Sequence, residues 1–326
     1  MSQGNSVSRN PLAQLAARLD SMQQNHRAAS FAYAVIKKYS DDSAGHQAAL
    51  VTYYGFLSLF PLLLVVTSII DLVAQYNAGL RTRLVSSVNS YFPIVGHQIQ
   101  SNIHDTRTGI ALVIGLLFAL YGARGVSDVI RSALDHAWCT PRAARTGFPK
   151  SILQSLAILL GAGFGLLFTT TLTSYALSAF GHTLIVRFIA MLINILLLYA
   201  ILMFVFLVGT SRRRPRRDIR LGAIASAIGL FILQVIGGYL ITHQLHNLRG
   251  LYGQFALVLA ILFWIYLQAQ VVLYAIEINV VRVYKLWPRS ITQNPIIAAD
   301  KRAYRMYAER ASFRPTVEEA IDVRFQ

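Results

Sequence analysis

The chain has little charge and almost no cysteine. Only 13% of its 326 residues are Asp, Glu, Lys or Arg, and a single residue, Cys139, is a cysteine. A soluble chain carries about 25% charged residues, so this composition is atypical of a soluble protein. A lone cysteine excludes an internal disulfide and any metal site built from several cysteines.

Several catalytic motifs are also missing. The sequence contains no glycine-rich phosphate loop ending in Lys-Ser/Thr, no Gly-x-Ser-x-Gly and no His-Glu-x-x-His, the signatures of P-loop ATPases, serine hydrolases and zinc proteases. A metal-dependent nuclease needs a cluster of carboxylates, and only Asp128 and Asp135 come near one, each with an arginine neighbour. We therefore predict that the chain is not an enzyme, with no catalytic residue, cofactor or metal site.

What the chain does have is six long apolar runs. A run of about 18 or more apolar residues can cross the hydrocarbon core of a bilayer, and a helix does so with its backbone polar groups satisfied. The sequence therefore predicts an all-α polytopic membrane protein with six transmembrane helices. The runs cover roughly residues 48–74, 109–127, 152–180, 184–209, 221–242 and 251–281.

The basic residues fall mostly on alternate sides of these runs. With the N-terminus inside, 25 of the 30 Lys and Arg residues lie in inside segments and five lie outside. Cytoplasmic loops carry the excess of Lys and Arg in membrane proteins, so we expect both termini in the cytoplasm. The formal net charge of +16 is then explained by loops facing an anionic membrane surface, without nucleic acid as a partner.

Three segments follow from this topology. Residues 1–45 form a cytoplasmic amphipathic segment, with helices expected over 11–39; residues 46–283 form the six-helix domain; and residues 284–326 form a cytoplasmic tail whose final part is expected to be disordered in places. The one long outside segment, 75–108, has apolar residues at helical spacing, which predicts two short amphipathic helices at the outer interface.

Charged residues at the inner end of the second run are the first candidates for a functional site. Arg124 and Asp128 are four residues apart, as are Arg131 and Asp135, so each pair can meet on one helix face. They either anchor the helix end or form a polar port for a head group or an ion. Gly122 would allow another backbone or a ligand to approach.

Glu277 is the second candidate, near the inner end of the sixth run. A carboxylate at that depth needs a partner or a proton, so Glu277 either locks two helices together or takes part in proton coupling. Arg124 and Asp128 lie at the same end, and we expect them to share one polar pocket with Glu277. Gln268, which precedes Glu277 in the same run, is a candidate for the same pathway.

In the first run, Pro61 removes a backbone hydrogen bond and frees the carbonyl near Leu57. Ser58 can satisfy part of that deficit. A kinked helix lined by polar groups often borders a cavity, which makes Ser58 and Pro61 pathway candidates; a purely structural kink is the alternative.

The loop before the fifth run is rich in arginine. On the inside of a membrane, such a loop is expected to contact anionic lipid heads. The partners predicted are therefore membrane lipids, with a homo-oligomer left open and no nucleic acid. The lipid-contact candidates are Arg212, Arg213, Arg214, Arg216 and Arg217.

Three motifs in order resemble the YihY/BrkB family of bacterial inner-membrane proteins. They are the first-run segment Gln47–Pro61 (QAALVTYYGFLSLFP), the segment Tyr121–Gly125 (YGARG), and the region from Arg220 to Asn279, which includes LYGQFA, WIYL and EIN. The family usually has Pro-Asp before the fifth run, whereas here Pro215 and Asp218 are separated. The resemblance implies six spans, both ends inside and an inner-membrane location, and it implies no settled function.

Two functions fit these features. The first is a transporter or exporter of an amphiphilic or anionic molecule, with lipids among the candidates, driven by a gradient because no ATP site is present. The second is a non-transporting structural or regulatory protein of the cell envelope, which the aliphatic third and fourth runs fit equally well.

Overall fold

The chain is folded into helices. The computed structural model describes residues 18, 20–74, 108–180, 183–292, 296–313 and 321–325, and these contain no β-strand, which confirms the all-α prediction. Residues 20–25 are helical. The longer helices are α1 (Arg27–Asp41), α2 (Ala44–Ala74), α3 (Thr108–Ala137), α4 (Lys150–Phe180), α5 (Leu184–Gly209), α6 (Arg216–Val283) and α7 (Ala298–Arg310), with a short 3-10 turn at Arg142–Ala144.

Four helical stretches of the described part are long and apolar enough to cross a membrane. They are Val113–Ala137, Leu184–Gly209, Arg216–Gly237 and Val258–Val283, and Lys150–Gly165 is a shorter apolar helix. The prediction of a polytopic membrane protein is confirmed. The count of six spans stays a prediction, because side chains of the first and third predicted spans, in α2 and α4, are described only in part.

Helix α6 folds back on itself. The backbone N–H of Gly222 donates to Asn279 Oδ1 at 2.6 Å, although the two residues are 57 positions apart. A straight helix would separate them by about 85 Å. Gly229 lies against Val271, and Gly237 against Trp264, so the two halves run antiparallel and the reversal lies between residues 237 and 264. The two predicted spans 221–242 and 251–281 thus form a hairpin.

The helix ends that carry the polar contacts meet at one end of the bundle. Ala137 ends α3, Gly209 ends α5, and Arg216 and Val283 are the two ends of α6. The first and last long helices, α1 and α7, also contact this end of the bundle, so we call it the terminal end. Both described chain ends therefore lie at the same end of the bundle. Residues 75–107, with the predicted outer amphipathic helices, lie outside the described residues, and so do 181–182.

Close helix contacts use glycine. A methyl group added to Gly122 on α3 would lie 2.7 Å from Ser58 Cβ on α2, and one added to Gly125 would overlap the Tyr54 ring. The space that Gly122 leaves open is thus filled by a neighbouring helix, since small residues let helix backbones approach.

Burial is uneven along the bundle. Large side chains at the terminal end, such as Trp138, Phe206, Ile276 and Leu286, are almost completely buried. Further along the helices, many large apolar side chains are exposed, including Leu117, Phe118, Phe164, Ile185 and Phe188. Soluble monomers rarely expose such apolar surface, so this belt is the surface that lipid would cover.

Candidate functional site

The ammonium group of Lys38 is completely buried at the terminal end. It pairs with the carboxylate of Asp42 one helical turn later, lies 3.4 Å from Glu277 Oε2, and donates to the Ala137 carbonyl at 3.1 Å. Burial opposes the charged form, but the charges of Glu277 and Asp42 outweigh it and raise the pKa of Lys38 above its ordinary value. Lys38 is therefore a permanent cation between helices α1, α3 and α6.

Arg310 supplies a second cation. From the last turn of α7, its Nη1 donates to Asp42 Oδ1 at 2.7 Å and to the His136 carbonyl at 3.2 Å. Lys38, Asp42, Glu277, His136 and Arg310 form what we call the Lys38 cluster. It contains two carboxylates and two permanent cations, so its charges balance.

Within this cluster, one oxygen of Glu277 is incompletely satisfied. Glu277 is 2% exposed, and its Oε2 has no hydrogen-bond partner among the described residues, although the ammonium of Lys38 is close. Buried polar atoms nearly always have such a partner. This oxygen is a position where a proton or a small cation could be accepted.

The predicted residues of the second span form a separate cluster. Arg124 Nε lies 3.5 Å from Asp128 Oδ2, and Arg131 Nη1 lies 3.4 Å from Asp128 Oδ1. Ser155 Oγ on α4 donates to Asp128 at 2.5 Å, and Arg131 donates to the Ser151 carbonyl at 3.2 Å. The side chains of Arg124 and Asp128 are 49% and 43% exposed, so this pair lies at the surface of the bundle.

The expected partners of two residues need correction. Arg131 pairs with Asp128 rather than Asp135, and Asp135 accepts hydrogen bonds from the N–H and Oγ of Ser211 at 3.0 and 2.5 Å. The described ion pair of Glu277 is with Lys38 rather than with an arginine of the second span. The single pocket that we expected is therefore two clusters, because α1 inserts its own cation beside Glu277.

The other predicted pathway residues are Ser58, Gln268 and Pro61. Ser58 Oγ donates to the Gly55 carbonyl at 2.8 Å rather than to the one near Leu57. Gln268 is half-buried on α6. Pro61 lies in helix α2, and its side chain falls outside the described residues.

The arginine loop divides into two kinds of residue. Arg212, Arg213, Arg216 and Arg217 are exposed. Arg214 is not: its guanidinium lies 4.6 Å from the centre of the Trp138 ring and donates to the Tyr284 hydroxyl at 2.7 Å. Arg214 thus joins the loop to α3 and to the end of α6, whereas the other four side chains are exposed, with Arg217 Nε 3.7 Å from Asp218 Oδ1; contact of these four with lipid stays a prediction.

Helix α1 does more than lie on a surface. Its Tyr39 ring stacks on Tyr274 of α6 with ring centres 3.9 Å apart, and Phe31 contacts Trp287 edge-on at 5.3 Å. One face of the predicted amphipathic segment is therefore packed against protein.

A second buried network ties the two chain ends together, and sequence reasoning missed it. Arg289 is completely buried, with Nε 2.6 Å from Asp300 and Nη2 3.0 Å from Asp41. Asp20 accepts from Ser290 Oγ at 3.0 Å and from the Ile291 N–H at 3.1 Å. Part of the predicted tail, residues 284–292 and 296–313, is consequently folded onto the terminal end.

The pKa of Asp20 reflects these contacts. Burial alone would raise it, but hydrogen bonds from the Ile291 backbone and from the side chains of Gln24, Gln23 and Ser290 lower the pKa to about 2. Asp20 therefore stays ionised and anchors the segment after α6.

The sequence is similar to known membrane proteins over most of its length. The model of the family described as Virulence factor BrkB matches residues 35–294, a range that contains Lys38, Asp42 and Glu277. A UPF0761 membrane protein of Pseudomonas paraeruginosa is 24% identical over 277 residues, covering 82% of this chain and 66% of the relative. Inner membrane protein YhjD of Escherichia coli is 23% identical over 278 residues, covering 78% of this chain and 81% of that protein.

The chain spans just under two thirds of the length of the Pseudomonas relatives. One of them, the UPF0761 membrane protein of Pseudomonas aeruginosa strain UCBPP-PA14, is 24% identical. The alignment covers 79% of this chain and 64% of that protein. No solved structure matches the chain significantly.

Proposed function

The chain belongs to the Virulence factor BrkB family, and on that premise we propose that this integral membrane protein transports an anionic or amphiphilic molecule, with lipids as the first candidates, without using ATP. The family resemblance of the three sequence motifs is confirmed by the family match, and the relatives are membrane proteins. Neither their names nor the fold assigns a substrate, so transport rests on the geometry of this chain.

The observation that carries the proposal is the buried pair of Lys38 and Glu277. Placing a charge in a membrane helix costs about 2.5–3.5 kcal/mol at the bilayer centre and less near the interface. If these side chains only stabilised the fold, apolar residues of similar size would often do so equally well. Glu277 lies in Val258–Val283, a stretch long and apolar enough to span a membrane, and charges inside membrane spans line ion and substrate pathways in many transporters.

The pair suggests how a gradient could be used. When a proton is accepted at Glu277 Oε2, the oxygen that lies 3.4 Å from the Lys38 ammonium, the carboxylate loses its charge and its attraction to Lys38 weakens. Lys38 belongs to α1 and Glu277 to the second half of α6, so the contact between these two helices would loosen. Such a change could couple proton entry to movement at the terminal end.

Orientation and location belong to the same proposal. We place the terminal end in the cytoplasm and the protein in the bacterial inner membrane, with six spans. Two observations support this: both described chain ends lie at the terminal end, and 25 of the 30 basic residues belong to segments predicted on that side.

A vesicle assay tests transport. The purified full-length protein is reconstituted in phospholipid vesicles, and transfer of fluorescent phosphatidylglycerol between leaflets is followed by quenching, with and without a proton gradient. We expect faster transfer than in protein-free vesicles, and faster still with the gradient. Glu277→Gln should lose the effect of the gradient, whereas Glu309→Gln, a matched change at an exposed residue of α7, should keep it.

A second candidate is the non-transporting envelope protein. The Arg289 network favours it, because the buried ion pairs of Arg289 with Asp41 and Asp300 hold α1 and α7 together at the terminal end. In that case, wild-type vesicles would transfer anionic and neutral lipids no faster than protein-free vesicles under either condition, and transport would be excluded for these lipids.

A further inference from the structure

A cavity of about 230 Å³ opens at the terminal end beside the Lys38 cluster. It lies between the segment that joins α3 to α4 and the last turn of α7. We propose that this basic cavity binds the phosphate group of a phosphate ester or of inorganic phosphate. The lining residues are His136, Arg142, Arg145, Tyr307, Arg310 and Ala311.

The charges around the basic cavity are unbalanced. Of its three guanidinium groups, only that of Arg310 forms an ion pair with a carboxylate, Asp42, among the described residues. Arg142 and Arg145 form none there. The guanidinium groups of Arg142 and Arg145 therefore line the cavity with no described carboxylate within ion-pair distance, although the charge of Asp135 acts on Arg145, and this excess of positive charge attracts an anion.

The three arginines are close enough to act on one another. Partial burial lowers the pKa of Arg145; the charge of Asp135 opposes this, and the smaller effects of the Arg142 and Arg310 charges lower the pKa further. An anion between these guanidinium groups would relieve their repulsion.

The protein holds the arginines in place. Arg145 Nε donates to the Thr140 carbonyl at 3.3 Å, which leaves its two Nη groups for a ligand. Arg142 begins the 3-10 turn, its N–H donates to the Ser312 carbonyl at 3.2 Å, and its guanidinium lies 4.5 Å from the Phe313 ring. Because the Arg145 side chain is already held by its hydrogen bond to Thr140, fixing it around a ligand costs less entropy.

The other lining groups shape the cavity. Arg310 Nη1 lies 3.3 Å from His136 Nδ1; an arginine can only donate, so Nδ1 accepts and the ring proton sits on Nε2. The Tyr307 hydroxyl lies 3.1 Å from Asp41 Oδ2, to which it donates, so Tyr307 contributes a wall rather than a donor.

Phosphate is the anion that suits this arrangement. Guanidinium groups bind phosphate oxygens with paired, charge-assisted hydrogen bonds. Ligand pockets for drug-sized molecules have about 300–1,000 Å³, so this cavity, at about 230 Å³, is large enough for a phosphate group and smaller than a typical pocket for a drug-sized molecule. The phosphate could belong to a soluble ester or to a lipid head group reaching in from the membrane surface.

Binding of phosphate is independent of the transport proposal, since it is measured without a membrane gradient. Purified full-length protein in detergent is titrated with inorganic phosphate at constant ionic strength, by calorimetry. We expect saturable binding, about tenfold or more weaker after Arg142→Gln with Arg145→Gln. Arg302→Gln, an exposed arginine on the outside of α7, should bind as the wild type does.

Folding is checked separately. Arg142 is exposed, so Arg142→Gln alone should keep the thermal transition and still weaken binding. Wild-type protein that shows no saturable heat, or a double variant that binds as tightly as the wild type, would overturn the proposal.

A second arm separates the two sources of phosphate. The titration is repeated in nanodiscs that contain phosphatidic acid or phosphatidylcholine. If phosphatidic acid weakens phosphate binding, the cavity accepts a lipid head group; if both nanodiscs bind phosphate equally, the ligand is soluble. Either result supports the site, and absence of binding in both nanodiscs and in detergent counts against it.

Discussion

The ammonium of Lys38 and the carboxylate of Glu277 lie 3.4 Å apart with both side chains almost completely buried. One residue belongs to the first long helix and the other to the end of α6, so a single ion pair joins the beginning of the chain to its last predicted span. Asp42 shares the same ammonium, and loss of Lys38 would leave two carboxylates without it.

Removing this cation should destabilise the protein strongly. We expect Lys38→Met to cost about 3–5 kcal/mol, because one partner of a buried ion pair is left uncompensated. Thermal unfolding in detergent measures the effect, with Lys301→Met, at an exposed position, as control. Adding Glu277→Gln to Lys38→Met should recover part of the loss; a double variant less stable than Lys38→Met would contradict the pairing.

Glycines of the hairpin should differ sharply from an open glycine. A methyl group at Gly222 would overlap the Ala275 carbonyl and the Asn279 side chain, whereas one at Gly163 would meet nothing within 4 Å. We expect Gly222→Ala to destabilise by about 1–3 kcal/mol and Gly163→Ala to be neutral or slightly stabilising. Equal unfolding temperatures for the two variants would mean that the hairpin halves are not packed as described.

The exposed pair of the second span should matter less than its neighbours. Arg124→Gln removes a pair that is about half exposed, so the expected loss is below about 1 kcal/mol. Asp128→Asn should cost more, because Ser155 and Arg131 both lose a charged partner. Thermal unfolding of the two variants compares them, and a larger loss for Arg124→Gln would show that Arg124 has a further role.

The chain's cysteine should react slowly while the protein is folded. Burial raises the pKa of Cys139 to about 11, so very little thiolate is present at neutral pH. Maleimide labelling at pH 7.5 should be slow in detergent and fast after denaturation, and it should accelerate as the pH rises towards 11. Rapid labelling of native protein at neutral pH would disagree with a buried Cys139.

Topology is tested with reporter fusions. Fusions after residues 145, 215 and 310 should report the cytoplasm, and a fusion after residue 95 should report the outside, because the positive charges are distributed in that way. A periplasmic signal from residue 215 would refute the six-span topology.

An apolar helix such as Leu184–Gly209 can be predicted from the sequence because hydropathy is a local property: the run stays apolar whatever surrounds it. The partner of Glu277 cannot be predicted in this way. In the sequence, Lys38 is one of many basic residues on the predicted inner side, and nothing in its neighbourhood indicates that α1 contacts α6. Similarly, the spacing of Arg131 and Asp135 permits an ion pair on one helix, but in the structure Asp135 accepts a hydrogen bond from Ser211 of another segment. Ion pairs across long sequence distances depend on packing, which sequence patterns do not encode.

The antiparallel packing of the two halves of α6 has a consequence for biogenesis. Gly222 and Asn279 contact each other through a hydrogen bond between the halves, and Asn279 carries an amide that is costly to expose to lipid alone. The last two spans should therefore leave the insertion machinery as a pair, with the amide already satisfied. A truncated chain that ends before Asn279 would insert the first half of α6 without this hydrogen-bond partner, and we expect cellular quality control to degrade it.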